Sequence, residues 1–340
     1  MLQGVFNKLF NRQDLTENEI KEAIDFITEG LASPAQIGAF LAALKLKGET
    51  ITEIAGSAQI LRKKAAKVTI KQSYAVDTCG TGGDGAKTFN ISTAVGFVVA
   101  GAGIPVVKHG NRSVSSRCGS ADVLEHLGVN LELDADQIAQ CVDQANIGFA
   151  YAPSFHQAMK HVAGPRKEIG VRTLFNVLGP LLNPAQVQGQ VLGVYAPELT
   201  EVLALVLQEL GCERALVVHG LDGLDEITTT ARTKVTELKD GKITTYELDP
   251  LDYGLNYSSL SELVGGDAVE NAIILSEVLQ GKPGPKRDIV LLNAAAAIYV
   301  GKQAKSIAEG MEIAKEVIDQ GLAYAKLEQL VELTQAGAGR

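Results

Sequence analysis

Apolar residues in the first seventy positions recur at helical spacing, and each recurrence opens with residues suited to start a helix. Thr16-x-x-Glu19, Ser33-Pro-Ala-Gln36 and Thr50-x-x-Glu53 are capping boxes, in which a hydroxyl accepts from a first-turn amide and the acid or amide side chain answers the cap's own N–H. Pro34 suits a first turn because its missing N–H would have had no helical partner. Ile37, Phe40, Leu41 and Leu44 then share one face. Short amphipathic helices bury such stripes on each other or on a second chain, so residues 1–70 are expected to form a small helical domain that offers a dimer surface.

From about Tyr74 the rhythm changes to short β-rich runs alternating with helical ones. Segments 74–77, 105–108, 130–133, 191–195 and 215–219 read as strands, with helices near 93–102, 119–127, 134–146 and 198–210 between them. That alternation predicts an α/β fold, with a mainly parallel central sheet in a large domain over 71–340. Residues 234–238 and 242–248 flank Lys239-Asp-Gly241, a hairpin signal, and the last third is helical with an Ala-rich run at 293–298. Ligands of parallel sheets bind outside the carboxyl ends of the strands, so segments 77–85, 108–116 and 219–226 are expected to converge on one crevice.

Those segments carry the chemistry. Asp77-Thr-Cys-Gly-Thr-Gly-Gly-Asp-Gly85 follows a predicted strand, and its glycines let the backbone approach an anion closely. Asn90 and Ser92 stand where the apolar run 94–100 begins a helix, whose first-turn amides favour the same anion. Neither the dinucleotide fingerprint nor the P-loop fits, and the Asp among the glycines points to a sugar phosphate or a metal ion beside the phosphate. Asp225-Glu226 follows another predicted strand and suits Mg2+, which takes one or two carboxylates and leaves its remaining positions to phosphate and water. In Phe155-His-Gln-Ala-Met-Lys-His161 and Gly164-Pro-Arg166, the guanidinium of Arg166 suits bidentate capture of a carboxylate.

The net charge of −9 over 340 residues argues against nucleic acid as the main partner, so any anion site must be local. Lys108-His-Gly-Asn-Arg-Ser-Val-Ser-Ser-Arg117 is such an island, with three full positive charges and no carboxylate of its own. Four cysteines without CxxC spacing, and an opening that is no basic segment feeding a long apolar one, lead us to expect a reduced cytoplasm; no apolar run is long enough to span a membrane. Cys79 and Cys118 are assigned no chemistry.

Taken together, Gly80-Thr-Gly-Gly-Asp84, Thr88-Phe-Asn-Ile-Ser-Thr93, Lys108-His-Gly-Asn-Arg112, Ser115-Ser-x-x-Gly-Ser-Ala-Asp122, Arg172-Thr-Leu-Phe-Asn-Val-Leu-Gly-Pro-Leu181 and Asp225-Glu226 give a chain that resembles the anthranilate phosphoribosyltransferases nearly end to end. The resemblance implies transfer of a phosphoribosyl group from phosphoribosyl diphosphate to anthranilate in tryptophan biosynthesis, by a homodimer. It implies that Gly80, Gly83, Asp84, Thr88, Asn90, Ile91, Ser92 and Thr93 hold the phosphoribosyl diphosphate, with Lys108, His109, Gly110, Asn111, Arg112, Ser113, Val114, Ser115, Ser116 and Ser120 completing the contacts. Two Mg2+ ions are implied, one on Ser92 and Glu226 and one on Asp225 and Glu226. Anthranilate would meet Gly80, Asn111 and Arg166, with His109, His156 and Pro180 lining its approach. The resemblance also implies that a segment near 173–185 returns to the helical domain, with the site at the hinge. Two rivals stay open: a pyrimidine nucleoside phosphorylase, which shares the fold and a glycine-rich phosphate loop, and a non-catalytic nucleic-acid-binding relative.

Overall fold

The capping boxes do what their spacing requires. In the computed structural model, which describes residues 2–113 and 117–337, Thr16, Ser33 and Thr50 cap α2 (Glu17–Thr28), α3 (Pro34–Lys47) and α4 (Ile51–Lys64), after a first helix α1 (Leu2–Phe10). Each such cap is worth about 1 kcal/mol. Glu53 closes its own box and also accepts from Leu15 N and Lys47 Nζ, both at 2.9 Å, which ties the helices to one another.

Seven strands follow: β1 (Val76–Gly80), β2 (Val106–Gly110), β3 (Ile147–Tyr151), β4 (Gly189–Gly193), β5 (Arg214–Gly220), β6 (Thr233–Lys239) and β7 (Lys242–Leu248). They form one sheet in the order β3-β2-β1-β4-β5-β6-β7, parallel from β1 to β5, with β6 and β7 added antiparallel. Between and after them run α5 (Ile91–Gly101), α6 (Ser120–His126), α7 (Ala135–Ala145), α8 (Ala152–Phe155), α9 (Lys160–Ile169), α10 (Phe175–Leu178) and α11 (Leu199–Glu209). The C-terminal helices are α12 (Leu260–Leu263), α13 (Ala268–Leu279), α14 (Pro285–Val300), α15 (Ile307–Asp319) and α16 (Leu322–Gly337).

Two strand expectations need correction. Segment 130–133 is not a strand, because side chains take its amides: Asn130 N donates to Thr334 Oγ1 (3.2 Å) and Glu132 N to the Asn130 side chain (2.9 Å), after which Asp134 caps α7. The strand that was not foreseen, β3, contains Gly148 and Ala150, poor strand formers on their own. A Cβ at Gly148 would come within 2.9 Å of the Ile138 carbonyl on α7, so close helix–sheet packing demands the glycine. The first strand lies later than 74–77 and runs to Gly80, since Asp77 and Thr78 are buried polar residues with partners inside the fold.

Alternation along the strands builds two cores, one on each face of the sheet. Val191, Leu216 and Val218 share one core with residues of α5, α14 and α16, whereas Leu192, Val194, Ala215 and Val217 join α11 and the N-terminal helices. Leu174, which caps α10, with Phe175, Leu178 and Leu181 from α10 and the 3-10 turn after it, lies in the same core as Ile24, Phe40 and Leu44. Arg62 of α4 donates from Nε to the Leu181 carbonyl at 2.6 Å. From β1 the chain moves outward to β2 and β3, then returns to β4 on the other side of β1. The carboxyl ends of β1 and β4 therefore flank a topological switch point, where a crevice opens.

Candidate active site

The floor of that crevice is made of strand ends without side chains. β1, β2, β4 and β5 all finish on glycine, at Gly80, Gly110, Gly193 and Gly220. A Cβ on Gly80 would collide with the Asp225 carboxylate, and one on Gly193 with the Asp225 carbonyl, so both strands end on glycine to let the 220–230 loop cross directly above them.

The glycine loop folds back over this floor, with Gly82, Gly83 and Gly85 at φ 69°, 83° and 77°. Gly82 N donates to Asp225 Oδ2 at 2.6 Å, which joins the loop after β1 to the loop after β5. Arg172 Nη2 donates to the Gly83 carbonyl, Ala86 N donates to Asp84 Oδ1 (3.1 Å), and Thr88 bridges to Val264. α5 starts at Ile91, two residues ahead of the predicted 93. The Asn90 side chain does not cap it; Nδ2 donates to the Cys118 carbonyl (3.2 Å) while Oδ1 accepts from Asn271 (3.0 Å). In the first turn, Thr93 Oγ1 is buried without a partner among the described residues.

Lys108 reaches beneath this helix start, its Nζ donating to the Thr78 carbonyl (2.6 Å) and to Ser92 Oγ (3.2 Å). Asp77 lies buried beside it, accepting from Asn183 Nδ2 (2.8 Å), and burial pushes its carboxyl up to about 6 against the pull of Lys108. Burial, Asp84 and Glu226 together push Asp225 well above the usual carboxylate range. Glu226 is pushed up by burial and by Asp84, while Lys108 and a hydrogen bond from the Ser92 backbone pull the other way. Among the described residues no three His, Cys, Asp or Glu side chains form a closed metal cage. Buried carboxylates crowded by a further acid, beside Ser92 at the start of α5, fit Mg2+ held by one or two protein oxygens, with the other positions left to phosphate and water.

On the acceptor side, His109 and His156 meet edge to face with Nε2 atoms 3.1 Å apart. Burial pushes His109 down to about 3 and His156 down to about 4, so both rings are neutral at pH 7 and His109 is a weak proton acceptor. The carbonyl of Gly179 faces His109, and Pro180 is pinned through its own carbonyl to Gln190 Nε2 at 2.8 Å. Arg166 on α9 is half-buried, with Cζ 5.5 Å from the Phe175 ring centre. Among the described residues it has no carboxylate within ion-pair distance; nor do Lys108 and Arg172.

The basic island after β2 is smaller than its composition suggests. Arg112 is tied to Asp122 (3.0 Å) and Glu125 (2.8 Å) on α6, so its charge is already answered. Asn111 is exposed, its Oδ1 accepting from Arg112 N (2.7 Å) and its carbonyl from Ser120 Oγ (3.3 Å). Ser113 N donates to Asp122 Oδ2 at 3.1 Å. Val114, Ser115 and Ser116 lie outside the described residues.

Three contributors escaped the residue-level reading. Arg172 stood inside a quoted motif without a role, Gly193 lay unremarked within the predicted strand 191–195, and Asn293 sat in an Ala-rich run. Asn293 accepts from Ile227 N (3.0 Å) and donates to the Ile227 carbonyl (2.7 Å), bracing the backbone next to Glu226. A polar residue alone in a buried apolar helix was the available signal.

Comparison with known proteins agrees with this arrangement over the whole chain. Residues 3–65 match the family described as "Glycosyl transferase family, helical bundle domain", and residues 72–324 match "Glycosyl transferase family, a/b domain". Anthranilate phosphoribosyltransferase of Acetivibrio thermocellus is 57% identical over 336 residues, covering 99% of this chain and 97% of the relative. That of Alkaliphilus metalliredigens is 58% identical over 335 residues, covering 98% and 99%. The crystal structure of anthranilate phosphoribosyltransferase (TrpD) from Thermus thermophilus superposes with a TM-score of 0.92 at 40% identity, covering 97% of this chain and 99% of that one. The Saccharomyces cerevisiae enzyme, solved in complex with PRPP and Mg, gives 0.90 at 30% identity, with 98% of each chain covered. None of these relatives is a nucleoside phosphorylase or a nucleic-acid-binding protein, and with helical bundle, α/β domain and site motifs all matched, the chain belongs to the anthranilate phosphoribosyltransferase family.

Proposed function

We propose that this chain transfers the phosphoribosyl group of phosphoribosyl diphosphate to the amine of anthranilate, releasing diphosphate, with the residues that flank the β1–β4 switch point as its machinery. The observation that carries the reading is the Asp225–Gly82 hydrogen bond, 2.6 Å long, which makes the glycine loop and the acidic loop a single site. On this reading Gly80, Gly83, Asp84, Thr88 and Asn90 to Thr93 receive the diphosphate and ribose. Lys108 anchors the start of α5 beneath them through Ser92. Asn111 and Ser120 close the β2 side, and Arg112 serves chiefly to hold that loop on α6.

Breaking the bond from C1 to diphosphate leaves positive charge on the ribose and negative charge on the leaving group. Ser92, Asp225 and Glu226 would hold Mg2+, two ions on this reading, which would supply charge stabilisation for the departing diphosphate. The aromatic amine of anthranilate is neutral near pH 7 and needs no base to attack, which suits the neutral His109–His156 pair. Arg166, whose guanidinium faces no protein carboxylate at ion-pair distance among the described residues, clamps the anthranilate carboxylate. Positioning then supplies much of the rate.

Leu31 and Leu46 of the helical region are 64% and 80% exposed, which supports burial against a second copy in a homodimer. Four free thiols, and no described helix long and apolar enough to cross a membrane, suit a reducing cytoplasm.

The test is loss of anthranilate fluorescence on adding phosphoribosyl diphosphate and Mg2+, with an EDTA control. Metal-dependent loss supports the reading. Phosphate-dependent release of uracil or thymine from a nucleoside, with no loss of anthranilate, would overturn it.

A further inference from the structure

Arg172 lies outside the machinery described above, yet it touches the glycine loop from another part of the chain. Its Nη2 donates to the Gly83 carbonyl, and its Cζ stands 3.9 Å over the centre of the Tyr195 ring. Tyr195 lies two residues beyond Gly193, and its own N–H donates to Thr81 Oγ1 at 3.1 Å. The stacked pair thus grips the loop at Thr81 and again at Gly83.

The grip sets peptide orientation. In a trans peptide the carbonyl and the next N–H point in opposite directions, so tethering the Gly83 carbonyl to Arg172 turns the Asp84 N–H to the other side. At φ 83° Gly83 has no side chain to resist rotation, and an untethered loop would present its amides in many orientations. The placement of Arg172 is itself controlled: α9 is capped by Gly170, at φ 66°, whose N–H donates to the Arg166 carbonyl at 3.2 Å, and Arg172 follows two residues later. One corner of the chain therefore carries both Arg166 and the residue that grips the loop.

We infer that Arg172 is a positioning residue, a latch that holds the glycine loop in its diphosphate-receiving shape through the Gly83 carbonyl and the face of Tyr195; this rests on the reading of residues 80–85 as the diphosphate cradle. Lysine is no substitute, because a point charge cannot both stack flat on the ring and donate in a fixed direction.

Steady-state kinetics of the full chain test it, with Arg172→Met, Arg172→Lys, Tyr195→Leu and Tyr195→Phe. Arg172→Met is expected to raise KM for phosphoribosyl diphosphate about tenfold while kcat and KM for anthranilate change by no more than about twofold. Arg172→Lys and Tyr195→Leu should each raise the same KM about threefold, and Tyr195→Phe, which keeps the ring face, should restore it. Amide exchange of the 80–87 segment should quicken in the ligand-free Arg172→Met protein, while its unfolding temperature stays within about 2 °C of the parent, as for an exposed side chain. An unchanged KM for phosphoribosyl diphosphate in both Arg172 variants, or a rise confined to anthranilate, overturns the latch. If phosphoribosyl diphosphate with Mg2+ fails to slow exchange of 80–87 in the parent, the cradle reading falls, and the latch with it.

Discussion

Two loops meet above the same glycine floor and are held in opposite ways. The acidic loop spends its own polar groups on itself, Thr228 Oγ1 donating to Asp222 Oδ2 (2.7 Å) and Thr230 Oγ1 to the same oxygen, and takes an added brace from α14, where Asn293 brackets Ile227 through both N–H and carbonyl. The glycine loop makes few bonds of its own and is held from outside, by Asp225 at Gly82 and by Arg172 at Gly83. The difference follows from what each must bear. Carboxylates crowded together need a braced backbone to stay so, whereas a run of glycines, the proposed diphosphate cradle, sets no shape of its own and takes it from residues outside the loop.

The largest way to break that contrast is to remove the repelling charges. Asp225→Ala with Glu226→Ala should lower turnover by about a thousandfold or more, since metal-assisted charge stabilisation is worth several kcal/mol. The metal-free double variant should melt no lower than the parent, because the repulsion that burial imposes on Asp225 and Glu226 disappears. Fluorescence turnover and circular dichroism melting check both halves. Gly193→Ala attacks the acidic loop from below, where a Cβ collides with the Asp225 carbonyl. It should cost about 1–3 kcal/mol of stability and, by moving the carboxylates, about a hundredfold in turnover. A Gly193→Ala enzyme with parental activity would show that the floor does not set the loop.

Arg166→Ala leaves both loops alone, so its effect should fall on anthranilate: a KM about thirtyfold higher, in line with a lost charge-assisted hydrogen-bond pair, and an unchanged KM for phosphoribosyl diphosphate. Asn293→Ala removes the brace and leaves the Ile227 backbone groups buried without it. A loss of about 1–3 kcal/mol in denaturant melts and about tenfold in turnover is expected.

The smallest effect is in pH. Glu226 titrates higher folded than unfolded, so the folded state holds the extra proton, and metal-free stability should fall as pH rises from about 4, the unfolded value, toward the raised folded one. His109 and His156 act in the opposite sense: pushed down to about 3 and about 4, they lose stability as pH drops below about 6.5, where the unfolded chain takes up protons. Between that pH and about 8 the raised carboxylates set the slope, and a Glu226→Gln variant should flatten the pH dependence of melting temperature there.

Local signals made much of this legible. Capping boxes at Thr16, Ser33 and Thr50 needed only a spacing of three, and the alternation of short apolar runs with helical stripes was enough for a mainly parallel sheet. The crevice was legible because three polar loops each followed a predicted strand. What stayed hidden depends on contacts between distant parts of the chain. Gly148 is a glycine because α7 passes over it, and β3 was therefore masked. Asp77 read as the end of a strand because its partner, Asn183, lies 106 residues away. Arg172 reaches Gly83 across 89 residues, a pairing that no local pattern encodes. Arg112 erred in the other direction, since the acids that neutralise it sit on the next helix rather than beside it.

The strand-terminal glycines have a consequence for how such an enzyme can change. A floor without side chains offers no atoms to alter, and any atom added at Gly80 or Gly193 strikes Asp225. Selection for a new acceptor or donor therefore has nothing to work on at the centre of the site and must act on the rim, where the loops are. The floor is the part of the site that tolerates no revision, and the rim above it is the part left open to change.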